Sequence, residues 1–344
     1  MAQRTKPSII GTGLISLDFI TDADAAPVWH SFAGGTCGNV LAILSYLGWD
    51  SYPVARLNGD NASHQIREDL GRWGVRLDYA SLQPTAHTPI IVQTNQESSG
   101  GEKIHRFSWR CPTCKRHLPS FAPIRRDTVA ELVRRPLRGD VFFFDRVSSG
   151  ILMLAEAASD SGAVVFFEPS AKTTDKQMAA ALRLADIVKY SDQRYPGQLD
   201  ALNRSGKTKL EIQTRGQNGL LYRARGLKQQ ERWRKFPVTK ISAVRDTAGA
   251  GDWFSANLID ELLKSGPDSL SAMTRTVLED ALHSASAAAA WSCRFDGARG
   301  GMYLTSERSY RNQIGKVRDG KLLASVRKPI TETIVRFPDC PACP

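Results

Sequence analysis

Residues 140–145 read DVFFFD and residues 163–168 read AVVFFE. Both runs are short, apolar throughout and rich in aromatic or β-branched side chains, with turn-forming or charged residues at their ends. A strand with one wet face alternates apolar and polar residues. A strand apolar on both faces must be covered on both, which is the situation inside a parallel sheet flanked by helices. The segment between them, SSGILMLAEAASDSG, has helical character. The same succession recurs along the chain, with SIIGTGLI, ADIVKY and KLEIQT as further strands. This β-α-β-α rhythm predicts an α/β fold built on a doubly wound, mostly parallel sheet. Two helix starts are expected from their caps. Thr36 would be the N-cap of TCGNVLAILSYLG, and Thr128, with Glu131 three residues on, would form a capping box.

Residues 76–110 interrupt the rhythm. LDYASLQ, TPIIVQTN and EKIHRFSWR read as antiparallel strands joined by polar turns such as ESSGGE. They form a small sheet outside the main one, placed as a lid would be. The expected organisation is a main α/β domain over 1–75 and 111–330, the β-lid over 76–110 inserted in it, and a tail over 331–344. Beyond about residue 305 the pattern weakens.

The chain has 344 residues, 42% of them hydrophobic, ample for a sizeable core. No run of 18 or more apolar residues suggests a membrane span. The opening MAQRTKPSIIGTG is broken by glycine too early for a signal peptide, so a cytoplasmic protein is expected. The formal charge of +11 favours anionic partners. Its densest cluster, RARGLKQQERWRK at 223–235, reads as a solvated hairpin face, and no nucleic-acid motif accompanies it. SGKT at 205–208 resembles the end of a P-loop, but Ala201 stands where the leading glycine belongs and a strand follows instead of preceding it.

RDTAGAGDWF, residues 245–254, carries the chemistry. Gly249, Ala250 and Gly251 allow a tight turn whose amides converge in front of a helix, GDWFSANLIDELLKSG, with Phe254, Leu258 and Leu262 on its core face. Free N–H groups and the helix dipole make such a terminus an anion site. Asp252, in the first turn, stands beside that site. It could accept the proton of an alcohol attacking a bound phosphoryl group while the amides stabilise the developing charge. The plain alternative is a helix-start aspartate after a loop glycine.

DTAGAGD, Asp246 to Asp252, resembles the C-terminal signature of the ribokinase-like (PfkB) sugar and nucleoside kinases. SFAGGTCGNVLAILSYLGW resembles that family's di-glycine segment, ARLNGDNASHQIREDLGRWGV the segment after it, and TRGQNG its nucleotide loop. The resemblance spans roughly residues 8–305 in the right order. It implies a ribokinase-like fold and ATP-dependent phosphorylation of a hydroxymethyl group on a sugar, or on a nucleoside. Asp252 would be the general base, and Ala248 through Gly251 the anion hole. Asp18, Gly34, Gly35 and Asn39 would hold the acceptor, while Thr214, Gly216 and Gly219 would border the nucleotide. Mg²⁺ would accompany ATP, and Asp246 would sit near a monovalent cation in members that bind one. One segment departs from the pattern. Where the family has Asn-x-x-Glu after a strand, this chain has Ser191 and Arg194, with Asp192 as a possible substitute carboxylate. A catalytically weak, ligand-binding homologue is the reading this departure supports. Trp253, bulky beside the base, could crowd or stack on a ligand.

Four of the six cysteines form a matched set, CPTC at 111–114 and CPAC at 340–343. Two Cys-x₂-Cys pairs are the ligand pattern of a tetrahedral zinc site, which here would pin the tail to the end of the lid through Cys111, Cys114, Cys340 and Cys343. Local disulfides, a redox pair or a site shared across a dimer are the alternatives. Cys37 and Cys293 are expected to fill core space. In HRFSWR, Arg106, Ser108 and Arg110 share one face of a strand, and His105, Phe107 and Trp109 the other. The basic face would suit an anionic acceptor, and the aromatic face a sugar, a base or the lid of a second copy in a homodimer. Glu168 of EPSAK would lie near the phosphates with Lys172 close by.

Overall fold

The computed structural model describes residues 6–321 apart from 23–28, 98–102, 136, 138, 198, 200–206, 227–231 and 242–243. Cys340 and Cys343, and the tail that carries them, lie outside the described residues.

Thirteen strands are described, in two sheets. The chain opens with β1 (Ser8–Thr12), β2 (Ser16–Asp22), β3 (His30–Gly34), β4 (Asp50–Leu57) and β5 (Ala80–Leu82). It continues with β6 (Ile90–Glu97), β7 (Lys103–Ser108), β8 (Val141–Phe144), β9 (Val164–Phe167) and β10 (Ile187–Ser191). It closes the sheets with β11 (Leu210–Thr214), β12 (Leu220–Ala224) and β13 (Arg234–Phe236). The large sheet runs β13-β12-β11-β10-β9-β8-β1-β4-β5 and is parallel from β11 to β5, with antiparallel pairing only at the β12–β13 edge. The small sheet runs β3-β2-β6-β7.

Helices cover both faces of the large sheet, which is why its central strands could be apolar throughout. On one side lie α1 (Thr36–Tyr46), α6 (Ala250–Leu263), α7 (Arg275–Ser292) and α9 (Glu307–Arg318), sharing a core with Phe143 and Phe166. On the other lie α3 (Arg126–Leu132), α4 (Ser149–Asp160) and α5 (Asp175–Leu184), packed on Phe142, Phe144 and Phe167. Successive phenylalanines of β8 thus serve opposite cores, as the period of two demands. Phe144 stacks on Phe167 with ring centroids 4.5 Å apart. α2 (Asn61–Arg72) packs against β3, and α8 (Gly300–Leu304) precedes α9.

Several expectations need correction. The small sheet takes β2 and β3 from residues 16–34, so only half of it comes from 76–110. β5, expected within the lid, pairs in parallel with β4 in the large sheet. Within the lid β6–β7 is antiparallel as expected, whereas β2–β6 is parallel. Gly35, not Thr36, is the N-cap of α1. Its φ is 79°, and a Cβ there would come within 2.5 Å of the Leu14 carbonyl oxygen, so the chain needs glycine at this point of entry. Thr128 lies inside α3, whose N-cap is Arg125; Asp127 serves the first turn and accepts the Thr128 amide at 2.7 Å. Beyond residue 305 the chain forms α9, capped by Ser306 and anchored by Tyr310, Ile314 and Val317. Cys37 and Cys293 are buried, as expected.

The described residues of the basic cluster lie on and beside the antiparallel pair β12–β13. Arg223 bonds Glu211 at 2.7 Å and lies over the Trp233 ring at 4.9 Å.

Candidate active site

Parallel strands of an open α/β sheet all end on the same side, and the following loops gather there into a cleft. Asp145 follows β8, Glu168 follows β9, Ser191 ends β10 and Thr214 ends β11. The N-terminus of α6 is held against this edge. Gly249 is its N-cap at φ 74°, and a Cβ there would come within 2.5 Å of Ala298. Only glycine passes that crossing, which explains the turn locally.

Asp252 lies in the first turn of α6 and is buried. Asn39 Nδ2, from α1, donates to its Oδ2 at 2.7 Å. Burial raises the Asp252 pKa, and the negative charge of Glu168 adds to this, against the Asn39 hydrogen bond and the positive charges of Lys189 and Arg194. A carboxylate poised in this way is suited to taking up a proton. Trp253, beside it, does not face a ligand. Its ring is fully buried against Trp291, centroids 4.9 Å apart, and Nε1 donates to the Ala298 carbonyl at 2.8 Å.

The amides of the turn divide their work. The Ala248 N–H donates to Asp246 Oδ1 at 2.8 Å, and the Ala250 N–H to the Thr247 carbonyl at 3.3 Å. Ala248 therefore does not belong to a free set of amides as expected. Among the described residues, Gly249 and Gly251 donate to no backbone carbonyl.

Asp18 sits on β2, in the lid. Ser16 Oγ donates to it at 2.6 Å, and the Gly35 amide also bonds it. Burial pushes its pKa up to about 6 in spite of these donors. Gly34 lies directly against this carboxylate, since a Cβ there would collide with it. The Asn39 amide donates to the Gly35 carbonyl at 2.8 Å. Asp18, Gly34, Gly35, Asn39 and Asp252 thus form one continuous chain of contacts. Thr214, Gly216 and Gly219 lie apart from them, at the end of β11. Gly216 and Gly219 have φ of 53° and 80°, and Thr214 pairs in register with Ser191 of β10. Arg194 follows in the exposed loop after β10.

Three groups escape the sequence reading. Lys189, in the middle of β10, is buried and bonds Glu168 Oε1 at 2.5 Å, the Gly251 carbonyl at 2.8 Å and Ser255 Oγ at 2.8 Å. It is the partner of Glu168; Lys172, assigned that place, is exposed. A lone lysine in a strand apolar on both sides was the available signal, because a buried charge requires a partner. Arg299 is a second. It bonds Asp69 at 2.6 Å and the Ala33 carbonyl, anchoring the strand that ends in Gly34. Gln93 of the lid is the third; it reaches Asp246, as does His105, which the sequence offered only as a member of the strand's aromatic face.

No curated protein matches the sequence. Among solved structures, the fold is similar to a fructokinase from Xylella fastidiosa with bound ATP, at 18% identity and TM-score 0.68 over 91% of this chain and 99% of that one. It is similar to a ribokinase from Arabidopsis thaliana complexed with ribose and ATP, at 20% identity and TM-score 0.63 over 90% and 99%. A nucleoside kinase from Burkholderia thailandensis in complex with inosine matches at 16% identity and TM-score 0.64 over 91% and 98%. The model of the pfkB family carbohydrate kinases matches residues 6–303. The chain belongs to this family and is an ATP-dependent kinase.

Proposed function

We propose that this kinase transfers the terminal phosphoryl group of ATP to a hydroxymethyl group of a sugar or sugar derivative. Asp252 takes the hydroxyl proton, the freed oxygen bonds phosphorus, and the bond to the ADP oxygen breaks. The Gly249 and Gly251 amides receive the charge that develops on the transferred group. Asp18, with Gly34, Gly35 and Asn39, holds acceptor hydroxyls. Thr214, Gly216 and Gly219 border the nucleotide. Mg²⁺, bound with ATP, would neutralise phosphate oxygens. Among the described residues no group of three or more His, Cys, Asp or Glu side chains could hold it alone, so it would enter on the phosphates.

The single observation that carries this reading is the Asn39–Asp252 hydrogen bond, which joins the expected acceptor segment to the expected base. Asp252→Asn should lower turnover by about 10²–10⁴-fold with nucleotide binding retained. The acid limb of the pH–rate profile should lie above the ordinary carboxylate range, since the base acts only when charged and burial raises its pKa. Unchanged turnover in Asp252→Asn would remove the assignment. A panel of sugars and nucleosides decides the acceptor, because one neighbour binds ribose and another inosine. Nucleotide binding with no turnover on any acceptor would favour the ligand-binding homologue, with Arg194 as its cause.

We propose the structural zinc site on the spacing of the two Cys-x₂-Cys pairs. Among the described residues no group of three or more His, Cys, Asp or Glu side chains could hold a metal ion, and the turn at Cys111 is compatible with the reading. The Cys111 Sγ accepts from the Thr113 and Cys114 amides at 3.4 Å each, and Lys115 follows with φ 62°. Such N–H···S bonds suit a metal-bound thiolate. Cys340 and Cys343 would supply the other two ligands. Zinc in the purified chain, lost in Cys111→Ser, is the expected result. The homodimer reading rests on Phe107 and Trp109, 45% and 50% exposed on and just beyond the edge strand β7. Sedimentation at several concentrations tests it.

A further inference from the structure

Asp246 and Thr247 lead directly into the turn that exposes the Gly249 and Gly251 amides. Two lid side chains hold them. Gln93, buried on β6, donates through Nε2 to Asp246 Oδ2 at 2.7 Å. The same nitrogen donates to Asn95 Oδ1 at 2.7 Å, which fixes its amide plane. His105, on β7, places Nδ1 3.5 Å from Asp246 Oδ1 and 3.3 Å from Thr247 Oγ1.

The main domain saturates the remainder of the carboxylate. The Ala248 amide reaches Oδ1 at 2.8 Å and the Gly297 amide reaches Oδ2 at 2.9 Å. Burial alone would raise the Asp246 pKa, yet His105 and these two amides hold it below the ordinary value. Asp246 is therefore a buried anion whose two oxygens each serve one donor from the main domain and one group from the lid. A cation bound at this carboxylate would have to displace Gln93 or compete with His105.

We propose that Gln93 and His105 are positioning residues for phosphoryl transfer: by holding Asp246 and Thr247 they join lid docking to the shape of the anion turn, and they take the place of a monovalent cation at Asp246. The inference rests on the reading of the Gly249–Gly251 turn as the anion hole. Neither side chain touches a reacting atom. They act through two residues of backbone, where misplacement of donors by a fraction of an ångström is costly.

The test uses the full chain, its Gln93→Leu/His105→Ala variant and the milder His105→Asn, which keeps a side-chain N–H. Each is measured in potassium chloride and in tetramethylammonium chloride at equal ionic strength. The native protein should show the same melting temperature and the same kcat in both salts. The double variant should lose about tenfold to a hundredfold in kcat with a smaller change in KM for ATP. Potassium should then raise its melting temperature and restore part of kcat, because Oδ2 has been vacated. His105→Asn should retain most of the native kcat and remain indifferent to potassium. A potassium-specific rise in melting temperature or kcat of the native protein would overturn the proposal. So would a double variant with native kcat, or one whose loss potassium does not touch. If the double variant does not fold, the native protein's response to the two salts still decides. The melting comparison needs no turnover, so it is independent of whether the acceptor is a sugar.

Discussion

The two sheets meet at the candidate site and are built on opposite principles. Every residue of β8 and most of β9 is inaccessible to water, and their side chains serve two separate helix-covered cores. The lid has four strands, with Phe107 on its edge strand and Trp109 just beyond both exposed. The large sheet contributes to the site through strand ends and a helix terminus, positions fixed by its whole mass. The lid contributes through single side chains, Asp18, Gln93 and His105, each reaching across to the partner domain or its glycine segment. A thick sheet suits groups whose spacing must not vary during reaction. A thin one suits contacts that are made and broken as ligands enter.

Substitutions can break this contrast. Phe143→Ala, in the middle of the large sheet, should cost about 3–5 kcal/mol in denaturant unfolding. Lys189→Met leaves Glu168 buried without its cation and should cost about 3–5 kcal/mol. Adding Glu168→Leu should recover much of that stability without recovering turnover, which separates the pair's structural role from its place beside Asp252. Asp18 gives a pH test of the lid. Its pKa is near 6 in the folded protein against 3.8 unfolded. Between those values the folded state binds more protons, so stability falls as pH rises through the window and is flat above it. The loss is about 3 kcal/mol at most, and Asp18→Asn should abolish that slope. Phe107→Ala, at a half-exposed position of the edge strand β7, should change stability by about 0.5 kcal/mol or less. A cost as large as that of Phe143→Ala would show that the lid is as firmly packed as the large sheet.

Much of this was legible in the sequence, for identifiable reasons. β8 and β9 declare themselves because being covered on both faces leaves no room for polar residues. The turn at 249–251 is legible because a backbone at positive φ crossing Ala298 admits only glycine. β2 and β3 were hidden, since β2 follows β1 after three residues and the two read as one strand. The contacts of Gln93 and His105 with Asp246 span 153 and 141 residues, and no local period encodes such a meeting. Lys189 was hidden by its neighbours: five residues of strand, one of them charged, read first as a strand. The capping rules misplaced two helix starts because they weigh the residue's own hydroxyl: at α1 the close approach to Leu14 requires Gly35 as the cap, and at α3 the helix begins earlier, with Asp127 in its first turn.

The aromatic residues of the two regions also make them separately visible to light. Trp253 is adjacent to the proposed base and packed with Trp291 in a dry cluster. Trp109 is the only exposed tryptophan among the described residues, and it stands at the end of the lid. Buried indoles emit to the blue and wet ones to the red, and collisional quenchers reach only the latter. With the buried Trp29 and Trp49 and the half-buried Trp73 and Trp233 replaced by phenylalanine, the red, quenchable part of the emission would report the lid, and the blue part the helices that carry Trp253 and Trp291. One titration of acceptor or nucleotide, followed at two wavelengths, would show whether the lid moves while the core stays still.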